Sequence, residues 1–426
     1  MTEPPRTPAS TTASPGLIRR LLGFSMLPFL SSVLPLIALP IMARAASAAD
    51  WAALGVGMGV GAFAAAVALV GWNLLGTPLV IAARSAAERD AMYSRSFYVR
   101  GIASVGVAIV GGIVAAVISP DAIATSAAFA VATALNAMTL SWYAVAVAAP
   151  GMVFWYEVVP RAFATALAIG VVLLTGMVFW YGVLLTLSIV AGLIAFHLRR
   201  FRRVLPEWPG SQQLRESVAD MRAAWGVETM TSLSTNAPVP IAGVVLSAAA
   251  TAQFSSSDRI YRYGLMAIIA AGNALQGWVL ESHAETRRTR NLVAFLVMGV
   301  VALVGWIILA LLGPLVSGLL FGADKAGDPL AFHFYAIAFV GLALATPLIR
   351  NILVPARRDR QVLLASIAAA VTAFSAMVVF GVLLGGAGVA LGFALGEILN
   401  LVLCIVLTLR LRGHGARSAP QTRGAA

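Results

Sequence analysis

The chain has 426 residues, of which 60% are hydrophobic and 11% charged, and its mean hydropathy is +0.91. Soluble domains carry about 25% charged residues, so this composition excludes a soluble enzyme and a disordered protein. A single cysteine, Cys404, excludes a disulfide-stapled secreted domain. The net charge of +12 would suggest nucleic acid in a soluble protein. In a membrane chain the same excess arises from arginines gathered in cytoplasmic loops, with no nucleic-acid partner.

The apolar runs predict twelve membrane helices in chain order. The first six are Leu21–Ala43, Ala52–Ala83, Gly101–Ile118, Ala122–Tyr143, Ala162–Trp180 and Tyr181–Leu198. The second six are Ala223–Leu246, Ile260–Glu281, Leu292–Leu312, Leu330–Ile352, Val362–Leu384 and Gly388–Leu409. With both termini cytoplasmic, every basic residue except Arg44, Arg259, Arg262 and Lys325 falls in an inner link or tail. Arg100 and Arg161 are counted among the inner ones. The outer links hold Asp50, Asp121, Asp258, Asp324 and Asp328. The expected fold is therefore all-α and integral to the plasma membrane.

Arg19-Arg20, an apolar run and Ala46-Ser47-Ala48 mimic a secretory signal. An internal repeat argues that this segment is retained: Pro35 aligns with Pro238, and Ala45–Trp51 with Ala248–Phe254. The halves form parallel six-helix lobes, 17–198 and 223–411, an arrangement common in transporters. Residues 199–222 form a cytoplasmic linker, where Leu214, Val218, Met221 and Trp225 make the stripe of an interfacial amphipathic helix. The tails 1–16 and 412–426 are predicted to be disordered. The links are too short for a catalytic domain, so an enzyme is not expected. The histidines (His197, His283, His333, His414) show no metal-ligand spacing.

Ionisable residues at membrane depth are the candidate functional groups. Asp258-Arg-Ile-Tyr-Arg-Tyr263 opens the eighth helix. Arg259 and Arg262 share a face, and Asp258 can pair with Arg262. Two readings stand: a cationic patch for a phosphate-bearing lipid head, or snorkelling anchors at headgroup level. Arg44 either pairs with Asp50 or meets a ligand. Arg161 pairs with Glu157 or contacts incoming substrate. Glu397, Glu228 and Asp258 are candidates for taking up a coupling H+ or Na+, with a hydrogen bond to a neighbouring helix the plainer role for Glu397. The polar run after Glu228 (Thr229, Thr231, Ser232, Ser234, Thr235, Asn236) is expected to face a wet lumen. Pro35, Pro40, Pro238 and Pro240 are expected to break the first and seventh helices. No cofactor is expected.

These residues carry a resemblance. Pro40-Ile-Met-Ala-Arg44 with Trp51 and Gly55, Gly71 to Ala82-Ala-Arg84, Ser141-Trp142-Tyr143, Ser257-Asp-Arg259-Ile-Tyr261, Leu320-Phe-Gly322, and Leu384-Gly-Gly-Ala-Gly388 to Glu397 stand in order along the chain. From about Leu22 to Leu411 it resembles the polysaccharide flippases of the multidrug/oligosaccharidyl-lipid/polysaccharide exporter superfamily. The resemblance implies flipping of an undecaprenyl-pyrophosphate-linked oligosaccharide to the outer leaflet, driven by an ion gradient. It implies membrane lipid, a polysaccharide polymerase and export proteins as partners. It also implies that Arg259 and Arg44 face the lumen. A multidrug antiporter of the same fold is the nearest rival, but it wants a buried carboxylate in the first half. A membrane polymerase or ligase would need a large outer loop. A non-transporting scaffold of a glycan assembly complex is the third alternative.

Overall fold

The computed structural model describes residues 37–280 and 284–417; the N-terminal tail 1–16, most of the first span and the last residues of the C-terminal tail lie outside the described residues. Among the described residues the regular structure is helical throughout, and nine segments are long and apolar enough to cross a membrane. The protein is a multi-pass membrane protein.

The first half contains α1 (37–45), α2 (Ala48–Leu69), α3 (Trp72–Ala82), α4 (Ala86–Ile118), α5 (Ile123–Ala134), α6 (Ser141–Ala146), α7 (Pro150–Val153), α8 (Val159–Thr175) and α9 (Phe179–Phe201). The second contains α10 (Ser211–Asn236), α11 (Pro238–Val245), α12 (Ala248–Leu280), α13 (Ala284–Ile307), α14 (Gly313–Phe321), α15 (Pro329–Pro347) and α16 (Asp359–Arg417). The last of these folds over at Gly385 (φ 66°, ψ −145°) and supplies two membrane arms. Among the described residues, α1 covers the end of the first predicted span, the α10–α11 pair the seventh, and the other ten predicted spans are helical too.

The arms of α16 close on a glycine ladder. Gly388, Gly392 and Gly396, one per turn, face Phe380, Met377 and Ala373 of the opposite arm, with backbone against backbone at the first two. Without a hydrophobic drive in lipid, such close approach supplies the packing energy. Gly392→Val is expected to cost about 3 kcal/mol or more, because the colliding atoms are backbone and cannot rotate away. Gly299→Val, with nothing within 4 Å, is the neutral control; melting in detergent compares the two.

Glycines also set the seam between the halves. In Gly55-Val-Gly-Met-Gly-Val-Gly61 of α2, Gly57 and Gly61 abut α5, whereas Gly55 and Gly59 abut Ser255 and Pro240 of the second half. The internal repeat is visible at the ends of α1 and α11, each followed one residue on by a serine that opens a long helix. Ser47 Oγ accepts from Asp50 N (3.0 Å) and Ser247 Oγ from Ala250 N (3.4 Å). Ser47 thus corresponds to Ser247, not to Ala250 as the sequence alignment implied.

Several boundaries differ from the sequence expectation. The fifth span begins at Pro150, not Ala162, and ends where Gly176 enters the left-handed region (φ 71°). It therefore takes Glu157 and Arg161 inside the helix, with a π-helical turn at Phe154–Val158. The long second run breaks at Val70 (φ 49°) and Gly71 (φ 78°). The fourth breaks at a 3-10 turn, Leu135–Met138. The linker stripe belongs to α10 itself: Leu214 and Met221 are buried against the first half, and Trp225 donates to Val67 O (2.8 Å). The last helix runs on to Arg417, past the expected start of the tail at 412.

Candidate transport site

Residues 254–261 of α12 are all buried, although the five from Ser255 to Arg259 carry hydroxyl or charged side chains in a row. Within the bilayer each such group needs a partner. Asp258, 2% exposed, accepts from Arg262 Nε (2.5 Å) and the Tyr335 hydroxyl (3.2 Å). Arg262 also donates to Asn236 Oδ1 (3.1 Å) and Thr235 O (3.0 Å), tying α12 to the end of α10 just before Pro238. Asp258 and Arg262 therefore tie α10, α12 and α15 of the second half together, with the Asp258 carboxylate engaged by Arg262 and Tyr335.

Arg259 points the other way. It is 8% exposed and reaches across the seam to Met58 Sδ of α2 (2.9 Å). Among the described residues no carboxylate lies within ion-pair distance of it. Arg161, on the fifth span, donates to Asn136 Oδ1 (2.6 Å) rather than pairing with Glu157. Glu157 instead accepts from Thr139 Oγ1 (2.9 Å), the Leu140 amide and Ser141 Oγ (3.4 Å). Arg161 and Arg259 both lie within electrostatic reach of the Tyr181 hydroxyl. Two of the four sequence candidates thus converge from opposite halves. Arg161 also lines a cavity of about 410 Å³ with Asn136, Ser141, Tyr156, Glu157 and Ser188.

Arg44 has another role. It donates to the carbonyls of Leu320 (3.3 Å) and Leu319, capping the end of α14 across the seam. The expected pair with Asp50 is absent; Asp50 accepts from Thr125 Oγ1 (2.6 Å) and Ser47 Oγ (2.7 Å). Nearby, Trp51 Nε1 donates to Ser256 Oγ (3.0 Å) and its ring meets Phe321 at 5.2 Å. These contacts seal the halves on the side that the charge pattern makes extracellular. In the loop above, Lys325 hydrogen-bonds Asp324 (2.8 Å) and holds that carboxyl below its usual range. Trp51→Ala is expected to open this seal. A cysteine at Ser257, fully buried here, is then labelled by an impermeant maleimide and stays unlabelled with Trp51 intact. Cys404 is buried and gives little background.

The remaining carboxylates lie apart. Glu397 makes no hydrogen bond or ion pair among the described residues. It lines a cavity of about 430 Å³ with Thr231, Ser234, Thr235, Ser366 and Asn400. Three residues of the polar run after Glu228 thus line a cavity within the second half. Glu228 itself faces the Gly71 amide and Asn73 at the α2–α3 break, where exposed helix N–H groups favour a carboxylate.

Sequence reasoning missed Arg100. Placed in an inner link, it is 0% exposed and donates to Ser96 Oγ (2.8 Å), Ala137 O (2.7 Å) and Thr139 O (2.9 Å), with its guanidinium 5.3 Å from the Trp142 ring. It caps the carbonyls freed by the break in the fourth span. The signal was its position at the head of an apolar run, one turn after Ser96. Asp90 also escaped notice; it accepts from Arg200 Nη2 (2.8 Å) and the Tyr143 hydroxyl (3.0 Å).

No family model matches the chain, and no curated protein matches it in sequence. In three dimensions it is similar to an inward-facing multidrug resistance MATE family transporter of the MOP superfamily (TM-score 0.67, 16% identity, 91% of this chain and 96% of the other). It is also similar to the lipid II flippase MurJ in an inward closed conformation (TM-score 0.65, 13% identity, 90% and 87%). The fold is that of the MOP superfamily transporters. A third such transporter, from Pyrococcus furiosus and described as having a binding pocket of reversed polarity, matches with TM-score 0.56, 15% identity and coverage of 94% and 96%. At these identities the likeness is one of fold.

Proposed function

We propose that the protein is an alternating-access transporter that flips an undecaprenyl-pyrophosphate-linked oligosaccharide to the outer leaflet for surface polysaccharide synthesis. The observation that carries this reading is Arg259: a guanidinium buried in the seam between the halves, with no carboxylate within ion-pair distance among the described residues. A buried, uncompensated charge is costly and marks a ligand path. Guanidinium groups bind phosphate oxygens bidentately, which suits a pyrophosphate. A MOP neighbour described as a lipid II flippase makes a lipid-linked cargo compatible with the fold. In this scheme Glu397 takes up the coupling H+ or Na+, while a polymerase and export proteins use the flipped product.

The second reading, a multidrug antiporter, is favoured by Glu157, a first-half carboxylate that lies inside the fifth span and lines a cavity, which suits an organic cation. Proteoliposomes loaded with a fluorescent lipid-linked sugar distinguish the two. Flipping raises the fraction of dye reduced by external dithionite. Flat traces combined with ethidium transport would establish the antiporter instead, and inactivity towards both would leave the scaffold.

A further inference from the structure

At the cytoplasmic ends of the fifth and sixth spans lies a cavity of about 600 Å³, separate from the seam and lined by Met152, Trp155, Tyr156, Phe196, Arg199 and Arg200. Its two cations differ. Arg200 is held by Asp90, to which it donates through Nε (3.1 Å) and Nη2 (2.8 Å). Arg199 has no carboxylate within ion-pair distance among the described residues. The cavity therefore carries one uncompensated positive charge beside a rigid, already neutralised one.

Its walls are aromatic. Trp155 is 64% exposed although it lies in a membrane helix, and Phe163 and Leu167 continue the exposed apolar surface along the same span. Exposed apolar side chains on a spanning helix face acyl chains, and tryptophan at a helix end sits at headgroup depth. Tyr156 is shared between this cavity and the inner one containing Arg161, so it walls the site off from the transport path. The π-helical turn at Phe154–Val158 sets this register, with Trp155 outward and Glu157 inward.

We propose that this cavity binds the phosphate headgroup of an anionic phospholipid of the inner leaflet. Arg199 contacts the phosphate, Arg200 orders the floor, and Trp155 lies along the glycerol and upper acyl carbons. The volume suits a phosphoglycerol head. A lipid there bridges the two spans just before the connection to the second half. The site is independent of the transported substrate.

The test uses full-length protein, delipidated in a neutral detergent, and its melting temperature on titration with short-chain phosphatidylglycerol, phosphatidylcholine or sodium phosphate. Phosphatidylglycerol is expected to stabilise the wild type, and the other two are not. Arg199→Gln should melt as the wild type without lipid and need roughly 10-fold more phosphatidylglycerol, equivalent to about 1.4 kcal/mol. Arg215→Gln, an exposed cation outside the cavity, should titrate as the wild type. The proposal is overturned if Arg199→Gln retains wild-type affinity, if Arg215→Gln weakens it equally, or if free phosphate stabilises as well as the lipid does.

Discussion

Replacing Arg259 by alanine is expected to reduce flipping in proteoliposomes by roughly 10- to 100-fold while leaving the melting temperature close to that of the wild type. The magnitude follows from losing a charge-assisted contact worth about 1.5–3 kcal/mol, or one to two decades in affinity. The unchanged stability follows from the geometry. Arg259 meets Met58 Sδ across the seam and holds no carboxylate, so its removal orphans no buried charge. Arg259→Lys keeps the charge but loses the bidentate fork, and an intermediate rate is expected. Wild-type rates in Arg259→Ala would remove the foundation of the flippase reading. A large fall in melting temperature would instead make the residue part of the scaffold.

Arg262→Met is expected to produce the opposite pattern, a loss of about 3–5 kcal/mol in stability, because it strands Asp258 as an unpaired buried carboxylate. Asp258 is 2% exposed and would keep only the Tyr335 hydroxyl as donor. The double replacement Asp258→Asn with Arg262→Met removes both charges and should recover most of that loss, since a buried pair is worth little against neutral residues of similar size. Thermal unfolding of the three proteins in one detergent decides it. If the double variant melts as low as Arg262→Met, the contacts of Arg262 to Asn236 and Thr235 matter more than the ion pair. Those two outcomes together would separate Arg259 and Arg262, three apart on one helix, into a ligand-facing and a structural cation.

Much of the fold was legible because its determinants are local. A run of apolar residues partitions into lipid wherever its neighbours lie, and the loop arginines orient it. The α16 hairpin could be read from Gly385 to Gly396, since small residues at one-turn spacing announce a close helix contact. Breaks within spans were harder to see. Glu157 and Arg161 looked like link residues because charge disfavours membrane depth. They are tolerated inside because Thr139, Ser141 and Asn136 of another span satisfy them. Arg100 deceived for the same reason: its acceptors are carbonyls far along the chain.

The candidate site divides along the same line. Hydropathy and charge along the chain already make this a many-span membrane protein, orient its links, and single out Arg44, Arg259 and Arg262 as departures from the charge pattern. Hydropathy and insertion charge are properties of each segment alone, so one chain suffices to read them. Packing alone brings Arg44 to the end of α14, ties Arg262 to Asn236 and Thr235, and carries Arg259 across the seam to Met58. Those roles depend on which side chains packing brings together: Leu319 lies 275 residues from Arg44 and Met58 lies 201 from Arg259, separations that leave no trace in local spacing.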